Sequence, residues 1–113
     1  MMRPTRRQPS PTNKRLALLE KMVADGKADS FARYALAMEY RKEKRPEDAL
    51  SAFQALRAAD PGYLAQYLMA GQLLIEAGRG ADVRDWLEAG IELAQKTGDA
   101  KALSELQDAL VQT

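Results

Sequence analysis

Cysteine and histidine are both absent from the 113 residues. Without cysteine there are no disulfides, thiolate metal sites or thiol nucleophiles. Without histidine the usual proton shuttle near neutral pH and the commonest metal ligand are missing. Together these absences argue against most metalloenzymes and against serine or cysteine hydrolases that rely on a histidine base. No catalytic residues, metal or cofactor are expected. No stretch approaches the roughly 18 apolar residues of a membrane-spanning helix. The basic N-terminus is not followed by the apolar core of a secretory signal, and Pro4, Pro9 and Pro11 oppose the amphipathic helix of a mitochondrial presequence. The expected location is the cytoplasm.

Charge is nearly balanced overall, at +1, but not along the chain. Of 17 basic and 16 acidic side chains, five basic ones (Arg3, Arg6, Arg7, Lys14 and Arg15) and no acidic one fall in residues 1–15. The remainder is a mildly acidic domain behind a basic arm. Residues 1–13 lack any apolar period and read as a disordered arm.

From Lys14 onward the periodicity is helical. Leu16, Leu19, Met22 and Val23 mark a leading helix over residues 14–26, with Gly26 suited to a left-handed end. Asp29 or Ser30 can cap the next helix, which carries Phe31, Tyr34, Leu36, Met38 and Tyr40. Pro46 suits a first helical turn, with Glu47 and Asp48 favouring the positive helix end. That helix ends near Ala59. Asp60 is expected to cap the following one, with Pro61 in its first turn and Gly78 as its stop. A fifth helix spans Ala81 to Lys96, and Asp99 opens a sixth with Leu103, Leu106 and Leu110 on one side. Six helices, no convincing strand and short loops predict an all-α chain whose consecutive helices are antiparallel neighbours.

At an offset of 34 residues, identities are few: Arg45 with Arg79, Asp48 with Asp82, Ala55 with Ala89. Class matches are better: Ala37 with Gly71, Tyr40 with Leu74, Ala49 with Val83, Phe53 with Leu87. Small residues that let helices approach, alternating with large ones that fill grooves, are what stacked helix pairs require. Residues 30–63 carry Leu36-Ala37-x-x-Tyr40, Ala49-x-x-x-Phe53 and Pro61. Residues 64–97 carry Tyr67-x-x-Ala70-Gly71-x-x-Leu74 and Val83-x-x-x-Leu87. In these residues the sequence resembles the tetratricopeptide repeat family, whose unit is a 34-residue antiparallel helix pair. Arg33, where the family favours an aromatic residue, and Gln95, where the first unit has Pro61, depart from the pattern. The resemblance spans about residues 15–112. It implies a short right-handed α-solenoid: the leading helix, repeat one (30–63), repeat two (64–97) and a capping helix (99–112), as in small stand-alone bacterial repeat proteins.

The resemblance also implies a function. First helices of such pairs line a concave surface that binds a peptide or protein segment. Here that surface draws on Tyr34, Met38, Arg41 and Lys42 from one pair and Leu68, Gln72 and Ile75 from the next, with Phe31 as an accessory. The same apolar residues equally suit a structural role, and the last helix can cover them. The family's clamp for C-terminal carboxylates is not expected, because the single asparagine, Asn13, lies in the arm. Trp86 reads either as a core residue or as an exposed anchor. Arg3, Arg6 and Arg7 offer phosphate or acidic-surface contacts, yet no aromatic or basic face backs them, so nucleic acid is a disfavoured partner. The expected function is non-catalytic protein binding to an unidentified protein or peptide. The alternatives are a self-associating scaffold (a homo-oligomer) and, less favoured, a nucleic-acid adaptor acting through the arm.

Overall fold

The computed structural model describes residues 13–113, so all of the basic arm except Asn13 lies outside the described residues. Six helices follow in order: α1 (Lys14–Ala24), α2 (Ser30–Lys42), α3 (Pro46–Ala59), α4 (Ala65–Glu76), α5 (Gly80–Thr97) and α6 (Ala100–Val111). There is no strand among the described residues. Each helix packs on its successor, and α6 also touches α4. This is the expected all-α stack of helix pairs, α2 with α3 and α4 with α5, with α1 before them and α6 after.

Local chemistry explains the boundaries. Asn13, Asp29 and Asp99 cap α1, α2 and α6 by accepting the N–H of Leu16, Ala32 and Ala102 at 2.9, 2.8 and 3.0 Å, satisfying donors the helix leaves open. The helices α3 and α5 start differently. Arg45 and Arg79 precede them, and each pairs with the acid three residues on, Asp48 at 2.9 Å and Asp82 at 3.3 Å. Two of the sparse identities at offset 34 are therefore one device used twice. At the other end, α1, α2, α4 and α5 close alike, with left-handed residues at Gly26, Lys44, Gly78 and Gly98. In each case two backbone N–H groups fold back onto the last-turn carbonyls, as in the Schellman motif.

The joint between the pairs corrects one expectation. Asp60 does not cap α4, and Pro61 is not in its first turn: α4 starts at Ala65 without a side-chain cap. Asp60 instead ends α3, its N–H bonded to the Leu56 carbonyl at 2.7 Å, and its carbonyl accepts from the Tyr63 N–H at 3.2 Å. Asp60-Pro61-Gly62-Tyr63 is thus a β-turn, with aspartate and proline at their favoured first and second positions. The Asp60 carboxylate accepts the Ser30 hydroxyl at 2.7 Å. Gln66 and Tyr67 tie α4 back to the turn through the carbonyls of Asp60 and Pro61.

The main core is continuous across this joint. It includes Ala37, Leu50 and Phe53 before it and Tyr67, Leu74, Leu87 and Leu106 after it. A smaller cluster of Leu16, Leu19, Ala32, Ala35 and Leu36 holds α1 onto α2. Glycine sets the closest approaches. A Cβ on Gly71 would lie 2.5 Å from a Leu87 methyl, and one on Gly90 would lie 2.6 Å from the Tyr67 Cβ and 2.9 Å from a Leu106 methyl.

Candidate functional site

The first helices of the pairs, α2 and α4, carry the expected partner-binding residues and meet where Arg41 reaches Met69 and Glu76; α6 lies next to α4. This last helix packs mainly on α5 and secondarily on α4, so it continues the row as a third first-helix instead of lying across α2.

The apolar members are half-buried. Tyr34, Met38, Leu68 and Met69 all pack against the main core. The Tyr34 ring stands edge-on to Phe53, with centroids 6.4 Å apart, and is 5.3 Å from the Tyr63 ring. Burial and the neighbouring Tyr63 phenol raise the Tyr34 pKa above its ordinary value. Leu68 and Met69 line a cleft of about 320 Å³ whose other wall is Ala102, Glu105 and Leu106 of α6. Phe31 and Ile75 are far more open, at 65% and 43% exposure. Gln72 is intermediate and Lys42 exposed.

The charged members differ from one another. Arg41 makes a two-pronged bond to Glu76, Nε to Oε1 at 3.1 Å and a terminal nitrogen to Oε2 at 2.5 Å. This fork-to-fork pair joins the ends of α2 and α4. The Glu76 side chain is 57% exposed and that of Arg41 only 21%, so the acid is the more accessible partner. The hydrogen bond from Arg41 holds the Glu76 carboxyl below the usual carboxylate pKa. The other terminal nitrogen of Arg41 lies 3.7 Å from the Met69 sulfur. Beside this pair is a cleft of about 450 Å³, with Leu73, Pro46 and Ala77 among its lining residues and Arg41, Lys44 and Glu76 as the charged ones.

Trp86 is not an exposed anchor. It is 5% exposed, with Phe53 and Tyr67 rings 6.4 and 5.9 Å away and the Arg57 guanidinium 4.7 Å from its ring centroid. That cation is paired with Asp85 at 2.8 Å. Arg3, Arg6 and Arg7 lie outside the described residues. Sequence reasoning missed Met69, which falls at i+4 from Ala65 and i−3 from Gln72, so the helical stripe itself could have found it. It also missed Lys44, for which no periodic signal exists. The described residues contain no cluster of metal-ligating side chains and no helix long and apolar enough to cross a membrane.

Comparison with known proteins places this geometry. The family model described as Tetratricopeptide repeat matches residues 40–106. The crystal structure of a tetratricopeptide repeat domain protein from Salinibacter ruber is 41% identical, with a TM-score of 0.69, over 75% of this chain and 94% of that one. A solution structure of a tetratricopeptide repeat domain protein from the same organism gives 42% identity and a TM-score of 0.70, over 74% and 85% of the two chains. A protein from Bordetella parapertussis is 28% identical, with a TM-score of 0.74, over 93% of this chain and 88% of its own. No curated protein matches the chain.

Proposed function

Since this chain belongs to the tetratricopeptide repeat family, we propose that it is a non-catalytic binding module for a peptide or protein segment, held on the side formed by α2, α4 and α6. The observation that carries this reading is the graded exposure of that side. Half-buried Tyr34, Met38, Leu68 and Met69 form a floor anchored in the core, open Phe31 and Ile75 stand out from the helices that carry them, and Arg41, Lys42 and Glu76 supply the charge. A pre-formed apolar floor with a few polar groups binds with little reorganisation, which is where affinity is otherwise lost. An extended segment or an amphipathic helix fits such a surface.

The test is selection of a random twelve-residue display library on the full chain. Enriched peptides should bind wild type and lose about tenfold or more in affinity on Phe31→Asp or Ile75→Asp. These positions are exposed, so the fold survives the change. Peptides that bind both variants as tightly as wild type, or a library that yields no enrichment, would remove the proposed surface.

A further inference from the structure

Lys44 is the one non-glycine residue among those described with a positive φ, at 60°. The three helices that close in the same way as α2 place glycine at this point: Gly26, Gly78 and Gly98. A side chain there crowds the backbone, so closing the helix does not account for the lysine. Its ammonium lines the cleft beside Arg41 and Glu76, and its charge helps Arg41 hold the Glu76 carboxyl ionised. Pro46, Leu73 and Ala77 give that cleft apolar lining. Arg41 belongs to both places, since it also touches Met69 on the proposed binding side.

Resting on the binding reading above, we infer that the cleft formed by Arg41, Lys44 and Leu73 is a subsite for an acidic side chain of the bound segment, flanked by an apolar residue. Glu76 occupies Arg41 while the site is empty. An incoming carboxylate takes over the two-pronged bond and the field of Lys44, both of which act on Glu76 in the empty site, while Glu76 swings out to water. The exchange is easy because an exposed ion pair contributes little net stability and Glu76 is already the more solvated partner. The flanking apolar residue covers the exposed Pro46 and Ala77 beside the buried Leu73. The subsite lies where the α2–α3 turn meets the end of α4, and it recognises an internal acidic residue without any asparagine.

The same twelve-residue library, selected in parallel on wild type, Lys44→Gly and Glu76→Gln, tests this. Peptides enriched on wild type should share one acidic position beside an apolar one, and glutamine at that position should weaken binding about fivefold or more. Glu76→Gln removes the competitor and should tighten those peptides about two- to fivefold. Lys44→Gly should lose the acidic preference while its melting temperature rises, which separates lost recognition from lost folding. Apolar peptides enriched without any acidic position, or an acidic preference unchanged on Lys44→Gly, would overturn the subsite and leave the binding surface standing. Absence of any enriched peptide would overturn both.

Discussion

At the scale of single residues, space and backbone geometry decide signs that propensity alone would get wrong. Alanine in place of a mid-helix glycine normally gains about 1 kcal/mol. At Gly90 the added Cβ meets the Tyr67 Cβ at 2.6 Å, an atom fixed to the α4 backbone, so relief requires α4 and α5 to separate. Overpacking of this kind costs about 1–3 kcal/mol, and Gly90→Ala should be net destabilising. At Gly71 the obstacle is the fully buried Leu87 side chain, Cδ2 at 2.5 Å and Cγ at 3.0 Å; a side chain yields more readily than an atom fixed to the backbone, so Gly71→Ala should also destabilise, but by less. Thermal unfolding of the two variants checks the order, at roughly 4–8 °C per kcal/mol for a small domain. Lys44→Gly should go the other way, stabilising by about 1 kcal/mol through release of the left-handed conformation. Tyr40 supplies a pH signature. Its hydroxyl donates to Glu20 at 2.5 Å, and burial together with that bond holds its pKa above the ordinary value. Above pH 10 the unfolded chain therefore releases a proton that the folded chain keeps. The stability from this group is complete below about pH 10 and is lost as pH rises beyond it. Tyr40→Phe should cost about 1–3 kcal/mol at pH 7, and denaturant titrations of the two proteins should converge as pH climbs above 10.

At the scale of helices and turns, the contrast between starts and stops shows what a sequence displays. Glycine marks the left-handed position at Gly26 and Gly78, so those stops are legible in the sequence. The stop at Lys44 lies in the charged run 41–45 and has no glycine to mark it. Asp60-Pro61 was ambiguous for a physical reason: the same pair suits a helix cap with its first turn and the opening of a β-turn. Contacts from Ser30, Gln66 and Tyr67 select the second, and these depend on helices being side by side. The candidate site divides similarly. Its apolar stripe could be read from helical spacing. The depth of Tyr34 is set by Tyr63, the burial of Trp86 by Tyr67 and Phe53, and the pairing of Arg41 by Glu76, 35 residues away, none of which periodicity encodes. If the turn ties α4 in place, Tyr67→Phe should leave the Pro61 carbonyl without its donor and cost about 1 kcal/mol. Hydrogen exchange should then report faster opening at the start of α4 than at its end. Uniform loss of protection along the chain would show that the hydroxyl acts on global stability instead.

For the whole molecule, the question is whether the two helix pairs are separable. Among the described residues, ion pairs that cross between them include Arg41–Glu76, Arg57–Asp85 and Arg79–Glu47. Each has a partner more than half exposed, and such pairs typically contribute about 0.2–1 kcal/mol, too little to hold the pairs together. The apolar core does that. Phe53, from the first pair, is fully buried with Trp86, from the second, as an edge-on neighbour. Cutting the chain at the turn would part Phe53 from Trp86 and leave both facing water on one side, and removing the packing around a buried side chain of that size costs about 2–5 kcal/mol per residue. A small domain has only about 5–15 kcal/mol in total. Fragments 1–60 and 61–113 should therefore each unfold without a cooperative transition, whereas the intact chain unfolds in one main step. The small cluster under α1 is the exception: it reaches the rest of the protein chiefly through α2, so α1 should lose hydrogen-exchange protection before α3 and α4 do. A fragment that melts cooperatively by itself would mean that each pair closes its own core and that the turn at Pro61 joins two independent units.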